Sequence, residues 1–354
     1  MSRFFSQKYK GLEPYTPGEQ PRERTYIKLN TNESPFPPSK KAQQMAAEAA
    51  ASLQLYSDPT AKRLHEKLAE TLGVDPSEVL CTNGSDEILN FAFMAFCDDE
   101  NPAAFADITY GFYSVFAELN RVPYDIIPLA DDLTVNVTDY IGIRKTIFIA
   151  NPNAPTGIAL KPKEIERILE SNPDNIVVVD EAYVDFGGES CSPLIRKYPN
   201  LLVTGTFSKS RSMAGARLGF GVACAELIGD LNTIKYSTNP YNVNSMTMAA
   251  GIGMLEDEET TRQNCRTIME NREYTARELQ KLGFRLTNSK TNFVFAAHDK
   301  ADGGDIYRKL KERGILVRHF DKPRIAQYNR ITIGSREQME ALVAALKEIL
   351  EDDQ

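Results

Sequence analysis

Lys209 stands in VTGTFSKSRSMAGARLGF (203–220), directly after an apolar run, among hydroxyl-bearing residues and eight positions before Arg217. A free lysine, with a pKa of ~10.4, is a weak nucleophile at neutral pH, and it becomes a catalytic group when it joins a carbonyl as an imine. Taken singly, a lysine at a strand end is more simply a solvated side chain. Three further strand ends carry polar residues in comparable places: VLCT leads into Asn83-Gly84-Ser85-Asp86, TIFIA into NPNAPTG, and IVVVD into EAY. Ser85 opens a helix, where free backbone N–H groups suit a phosphate, although capping that helix is the simpler role. Thr206 and Ser208 add hydroxyls, and Arg217 adds a guanidinium that can hold a phosphate bidentately or form an ordinary surface ion pair. Asp180 closes an apolar run and is therefore expected to be buried, where a carboxylate needs a cation or hydrogen-bond donors. Capping the next turn would serve it equally well.

A protonated heterocyclic nitrogen is one such cation, and the phenol of Tyr183 can reach an oxygen on the same ring. Pyridoxal 5'-phosphate requires a lysine imine, a carboxylate at its ring nitrogen, a phosphate cup and a stacking partner. The chain supplies all four, with Tyr110 of DITYGFYS as the stacking candidate, a ring that core packing would also explain.

Elements must bring these strand ends together. KRLHEKLAETLG reads as an amphipathic helix closed by Gly73, SDEILNFAFMAFC as a helix, and KPKEIERILE as a helix with Pro162 in its first turn. TIFIA, IVVVD and LLVTGTF are apolar throughout, which suits a parallel sheet covered on both faces, and ligands of such sheets gather at the carboxyl ends of the strands. The fold expected is α/β, a large domain with a mainly parallel sheet between helices and a smaller α+β domain. The proline- and glycine-rich residues 1–40 read as an arm that packs on the small domain or on a partner subunit, 41–245 as the large domain and 246–354 as the small one.

Composition excludes several classes. The formal charge of -8 gives nucleic acid no basic face, so no nucleic-acid partner is expected. No run approaches the ~20 apolar residues of a membrane span. The opening MSRFFSQKYKGLEPYTPGEQ shows no apolar leader, which makes the cytoplasm the expected compartment. Five scattered cysteines and three histidines form no ligand spacing, so neither disulfides nor a metal is expected. GxSxG, GxGxxG and GxxxxGK[ST] are all absent.

The set PYTPG, LNTNESPF, LYSDP, NGSDE, TYGFYS, NPNAPTG, VVVDEAYVDF, TFSKSRSMAGARLGF and NRITIGSRE resembles the fold-type I, pyridoxal-phosphate-dependent aminotransferases, and among them the histidinol-phosphate aminotransferase family, from about residue 11 to 340. The resemblance implies that Lys209 is the catalytic lysine, that Asp180 holds the ring nitrogen, that Tyr183 bonds the 3' oxygen and that Tyr110 stacks on the ring. It assigns the phosphate to Ser85, Asp86 (through backbone N–H), Thr206, Ser208, Arg217 and Tyr56 from the partner subunit, which implies a homodimer. It further implies that Arg330 binds an α-carboxylate, that Arg318 and Tyr15 meet the distal phosphate of the amino donor, and that Asn32 lines the substrate site. The chain departs from many relatives at Ala154, where they carry an asparagine on the 3' oxygen; the adjacent Asn153 is expected to serve instead. Histidinol phosphate with 2-oxoglutarate is the first substrate reading. An aromatic amino acid aminotransferase and a threonine-phosphate decarboxylase share these motifs, because substrate choice rests on few pocket residues. A non-catalytic regulator on the same fold is disfavoured because Lys209, Asp180 and Arg217 are all present.

Overall fold

TIFIA, VVVD and LLVTGT have no polar face to offer solvent, and they lie side by side in the interior of one sheet. The computed structural model describes residues 2–352. The chain begins with β1 (Ile27–Lys28), α1 (Lys40–Ala50), α2 (Lys62–Leu72), β2 (Val79–Asn83), α3 (Ser85–Phe96), β3 (Ala103–Ala106), α4 (Phe112–Asn120) and β4 (Tyr124–Ile127). It continues with β5 (Thr146–Ala150), α5 (Pro162–Ser171), β6 (Val177–Asp180), β7 (Leu201–Thr206), β8 (Leu218–Val222), α6 (Ala225–Thr238) and α7 (Ser245–Leu255). The remainder is α8 (Glu258–Lys281), β9 (Phe284–Leu286), β10 (Phe293–His298), α9 (Gly303–Glu312), β11 (Ile315–Leu316), β12 (Arg318–His319), β13 (Tyr328–Thr332) and α10 (Arg336–Asp352).

The seven-stranded sheet has the order β2-β8-β7-β6-β5-β3-β4, and only β8 runs against its neighbours. Alternate residues serve opposite faces: Phe148, Val178 and Leu202 pack on α3 and α4, while Ile147, Val177, Val179 and Val203 pack on Ile165 and Ile168 of α5. The strand β8 is not apparent in the sequence, since Gly219 and Gly221 disfavour a strand. Both are required by crowding: a Cβ on Gly219 would stand 2.3 Å from the backbone of Gly84 and Ser85, and one on Gly221 2.9 Å from Ile88.

A second lobe is built on the antiparallel sheet β12-β13-β10-β9 with α8, α9 and α10. The amino-terminal arm belongs with it, since β1 pairs in parallel with β11 and Leu29 is buried in this lobe's core. ILVRHF, which reads as one strand, divides: Ile315 and Leu316 pair with the arm, and Arg318 and His319 join β13. Helix α7 lies on α1 and α2 and shares their core, with Gly253 so close that a Cβ there would be 2.6 Å from the Cα of Ala42. Helix α7 thus packs with the first lobe. Among the described residues no helix is long and apolar enough to cross a membrane, and no group of histidine, cysteine and acidic residues could hold a metal ion.

Candidate active site

The carboxyl ends of β2, β5, β6 and β7 converge on a cavity of about 380 Å³, and Lys209, three residues beyond β7, points into it. A second cavity of about 450 Å³ adjoins it on the side of the second lobe. Lys209, Tyr183, Tyr110, Asp86 and Arg217 line both, so the two form one cleft between the lobes.

One end of the cleft is built for an anion. Gly84 occupies the capping position of α3, which makes Ser85 its first helical residue, with an uncapped turn of N–H groups facing the cavity. The simple capping role for Ser85 is thus not the one it takes. Thr206, Ser208 and Arg217 line the same end. The guanidinium of Arg217 donates to Asp86 Oδ2 at 2.9 Å and to Ser208 Oγ at 3.5 Å, while Tyr110 Oη donates to Asp86 Oδ1 at 2.6 Å. Asp86 therefore uses its carboxylate to orient Arg217 and Tyr110, and its backbone N–H lies in the first turn of α3. Burial, reinforced by Asp86, holds the Tyr110 phenol well above its ordinary pKa, so it remains a donor.

Asp180 sits at the opposite end, 5% exposed. It accepts hydrogen bonds from Tyr113 Oη at 3.1 Å, Ala182 N at 3.2 Å and Thr204 Oγ1 at 3.4 Å, all neutral donors. Burial pushes its pKa up to about 6, against the pull of those donors. A cation in the cavity is what this carboxylate lacks. Between the two ends, Lys209 Nζ donates to the carbonyl of Thr31 at 3.3 Å and stands 5.7 Å from the centre of the Tyr183 ring. Tyr183 Oη accepts from Asn32 Nδ2 at 2.9 Å, which leaves the phenolic hydrogen free to donate into the cleft. A flat heterocycle carrying a phosphate at one edge, a protonated nitrogen at the other and a carbonyl between them fits this donor set.

The second cavity presents arginines. Arg330 on β13 is partly covered by Phe293 and Phe320, with its guanidinium carbon 5.4 Å and 5.7 Å from the two ring centres. It donates to the carbonyl of Asn30 at 3.0 Å, its Nε has no partner, and burial pulls its pKa down. Such a group awaits an anion. Arg318 on β12 donates to the carbonyls of Thr16 and Pro17, and Tyr15 of the arm stacks on Phe112 at 4.2 Å between ring centres. Asn32 also lines this cavity, 1% exposed and in the left-handed region at φ 56°.

Two sequence expectations fare differently. Tyr56 does not line the cleft of its own chain; it is 83% exposed and stacks on Tyr241 at 4.6 Å. Asn153 turns away from the cleft. Its amide donates to the carbonyl of Ile108 at 2.9 Å and to Thr156 Oγ1 at 3.0 Å, and its oxygen accepts from Thr109 Oγ1 at 2.8 Å. With these bonds made it pins the 151–157 loop, and Ala154 and Pro152 are the residues of that loop that face the cavity. In this structure Asn153 anchors the loop, and Asn32 places its amide beside Tyr183. Sequence reasoning missed Tyr113, whose hydroxyl meets Asp180; its spacing of three from Tyr110 was the only signal, and a fully buried ring reads as core.

The family described as "Aminotransferase class I and II" matches residues 24–346. A histidinol-phosphate aminotransferase of Marinomonas sp. (strain MWYL1) is 48% identical over 351 residues, covering 98% of this chain and 99% of its own length. One from Brachyspira hyodysenteriae is 45% identical over 354 residues, covering 99% of this chain and 100% of itself. The crystal structure of histidinol-phosphate aminotransferase from Sinorhizobium meliloti in complex with pyridoxal-5'-phosphate superposes with a TM-score of 0.90, covering 100% of this chain and 99% of that one. Its 23% identity makes that a likeness of fold.

Proposed function

This chain belongs to the aminotransferase class I and II family, and from that membership we propose that it is a histidinol-phosphate:2-oxoglutarate aminotransferase of histidine biosynthesis, a cytoplasmic homodimer using pyridoxal 5'-phosphate. The observation that carries the reading is the pairing, in one cleft, of a buried carboxylate lacking a cation with an arginine lacking an anion, Asp180 and Arg330, on either side of Lys209. Pyridoxal 5'-phosphate supplies an aldehyde that takes up the donor's amino group and a protonated ring that holds the electron pair left at the donor's α-carbon.

Everything else falls to side chains of the protein. Lys209 would hold the cofactor's aldehyde carbon through Nζ, and the same Nζ would be the base that takes the proton from the donor's α-carbon. Asp180 keeps the ring nitrogen protonated, and the facing cation in turn favours its ionised form. Tyr183 Oη, already accepting from Asn32, donates to the ring oxygen. Tyr110, held by Asp86, would stack on the ring. The phosphate is bound by the first turn of α3 at Ser85 and Asp86, by the hydroxyls of Thr206 and Ser208, and by Arg217. Arg330 takes the α-carboxylate of glutamate or 2-oxoglutarate, while Arg318, with Tyr15 closing from the arm, takes the phosphate of histidinol phosphate, which has no α-carboxylate. The exposed Tyr56 completes the phosphate cup of the partner subunit.

The test is the visible absorption of the cofactor-loaded protein. Histidinol phosphate is expected to abolish the long-wavelength band with stoichiometric release of the oxo product, and 2-oxoglutarate to restore it. A band bleached by L-phenylalanine alone would move the substrate to aromatic amino acids. A protein that takes up no pyridoxal phosphate would overturn the reading.

A further inference from the structure

Between β12 and β13 the chain crosses back to the first lobe, and Phe320, Lys322 and Ile325 of this crossing line the cavity that holds Arg318 and Arg330. Two contacts seat it. Ile325, 1% exposed, packs with Ala106, Ile108, Leu129 and Leu133 of the first lobe. Beside it Arg324 reaches across the cleft, where Nη1 donates to Asp107 Oδ2 at 2.7 Å and Nη2 donates to the carbonyls of Leu129 and Ala130, each at 2.9 Å. Asp107 is itself fixed, since its Oδ1 accepts from Leu129 N at 2.9 Å. One planar guanidinium thus ties the end of β3 and the 129–130 turn to the crossing, a geometry that a single ammonium could not reproduce. On the cleft side the Phe320 ring lies 5.7 Å from the guanidinium carbons of both Arg318 and Arg330.

We propose that Arg324 is a positioning residue for the substrates: by latching 320–325 to the first lobe it holds the aromatic wall against which Arg318 and Arg330 are set. It touches neither substrate nor cofactor. The proposal rests on the reading of this cleft as an aminotransferase site. The partners of the ion pair are partly exposed, at 37% and 23%, so its charge alone adds little to stability, and what it contributes is placement. Misplacing a binding group by about an ångström costs up to ~100-fold.

The experiment compares wild type with Arg324→Ala, Arg324→Lys and Asp107→Asn as holoenzymes. Arg324→Ala is expected to raise the KM for histidinol phosphate and for 2-oxoglutarate by about 10- to 100-fold while kcat falls less than about 3-fold. Amide exchange across 318–328 should quicken, and pyridoxal phosphate affinity and melting temperature should stay near wild type. Arg324→Lys should resemble alanine, and Asp107→Asn should show a smaller effect in the same direction. An unchanged KM and unchanged exchange in Arg324→Ala would overturn the proposal. So would a general loss of melting temperature and cofactor, which would make Arg324 a structural residue. If wild type does not use histidinol phosphate, the substrate reading fails by itself; the exchange measurement needs no donor, and KM is then read with the donor that wild type does use.

Discussion

Asp180 is the residue whose environment and task conflict most. Burial raises its pKa from 3.8 to about 6, so the folded chain binds this proton more tightly than the unfolded chain does. The stability it contributes is complete below about pH 4 and is lost as pH rises through about 6, a swing on the order of 3 kcal/mol. Asp180→Asn cannot ionise. Without cofactor it is expected to melt above wild type at about pH 8 and to converge with it near about pH 4, as thermal melts at both pH values would show. With saturating pyridoxal phosphate the order should reverse, because only a carboxylate meets the ring cation. A cofactor-free wild type that melts with the variant at every pH would refute this account of Asp180. Arg330 poses the opposite case, a half-buried cation whose Nε lacks a partner. Arg330→Lys, with a point charge for a fork, is expected to raise the KM for 2-oxoglutarate by about 10- to 100-fold and that for histidinol phosphate less. Equal rises for both substrates in steady-state kinetics would move Arg330 from the carboxylate to a shared role.

At the scale of elements, the phosphate end depends on β8 lying flat against the turn into α3. Gly219→Ala would place a Cβ 2.3 Å from the backbone of Gly84 and Ser85, and backbone cannot rotate aside. The expected cost is about 1–3 kcal/mol in chemical denaturation, with weaker pyridoxal phosphate binding by titration. Native stability with native affinity would show that the two strands can part freely. This strand was hidden in the sequence because its glycines answer to a neighbour far along the chain, whereas β5, β6 and β7 were legible from apolar residues alone. The division of ILVRHF is similar: nothing local marks Val317 as the point where one sheet is left and another joined, yet that step delivers Arg318 to the cleft.

At the scale of the whole molecule, the site lies between lobes, and Tyr56 stands outside it on the surface. If Tyr56 serves the partner's phosphate, then Lys209→Ala and Tyr56→Ala chains, each defective alone at limiting cofactor, should recover up to about a quarter of wild-type activity after subunit exchange, since half the dimers then hold one intact site. Recovery no greater than the average of the two parents would leave Tyr56 without that role. Helix α7 makes a related point about boundaries. Its change in composition suggests a new domain, but its small residues are there to approach α1 closely, which only the packed pair reveals. What the sequence by itself determined was the chemistry: a lysine, a carboxylate, hydroxyls and arginines at strand ends are local facts, and in a parallel sheet those ends must converge. What the tertiary structure decided was direction and partnership. Asn153 turns away from the cleft because Ile108, Thr109 and Thr156 complete its hydrogen bonds, Tyr113 turns from core ring to partner of Asp180, and Arg324 finds Asp107. Each of these depends on contacts with residues that neither pattern nor spacing along one strand or helix encodes.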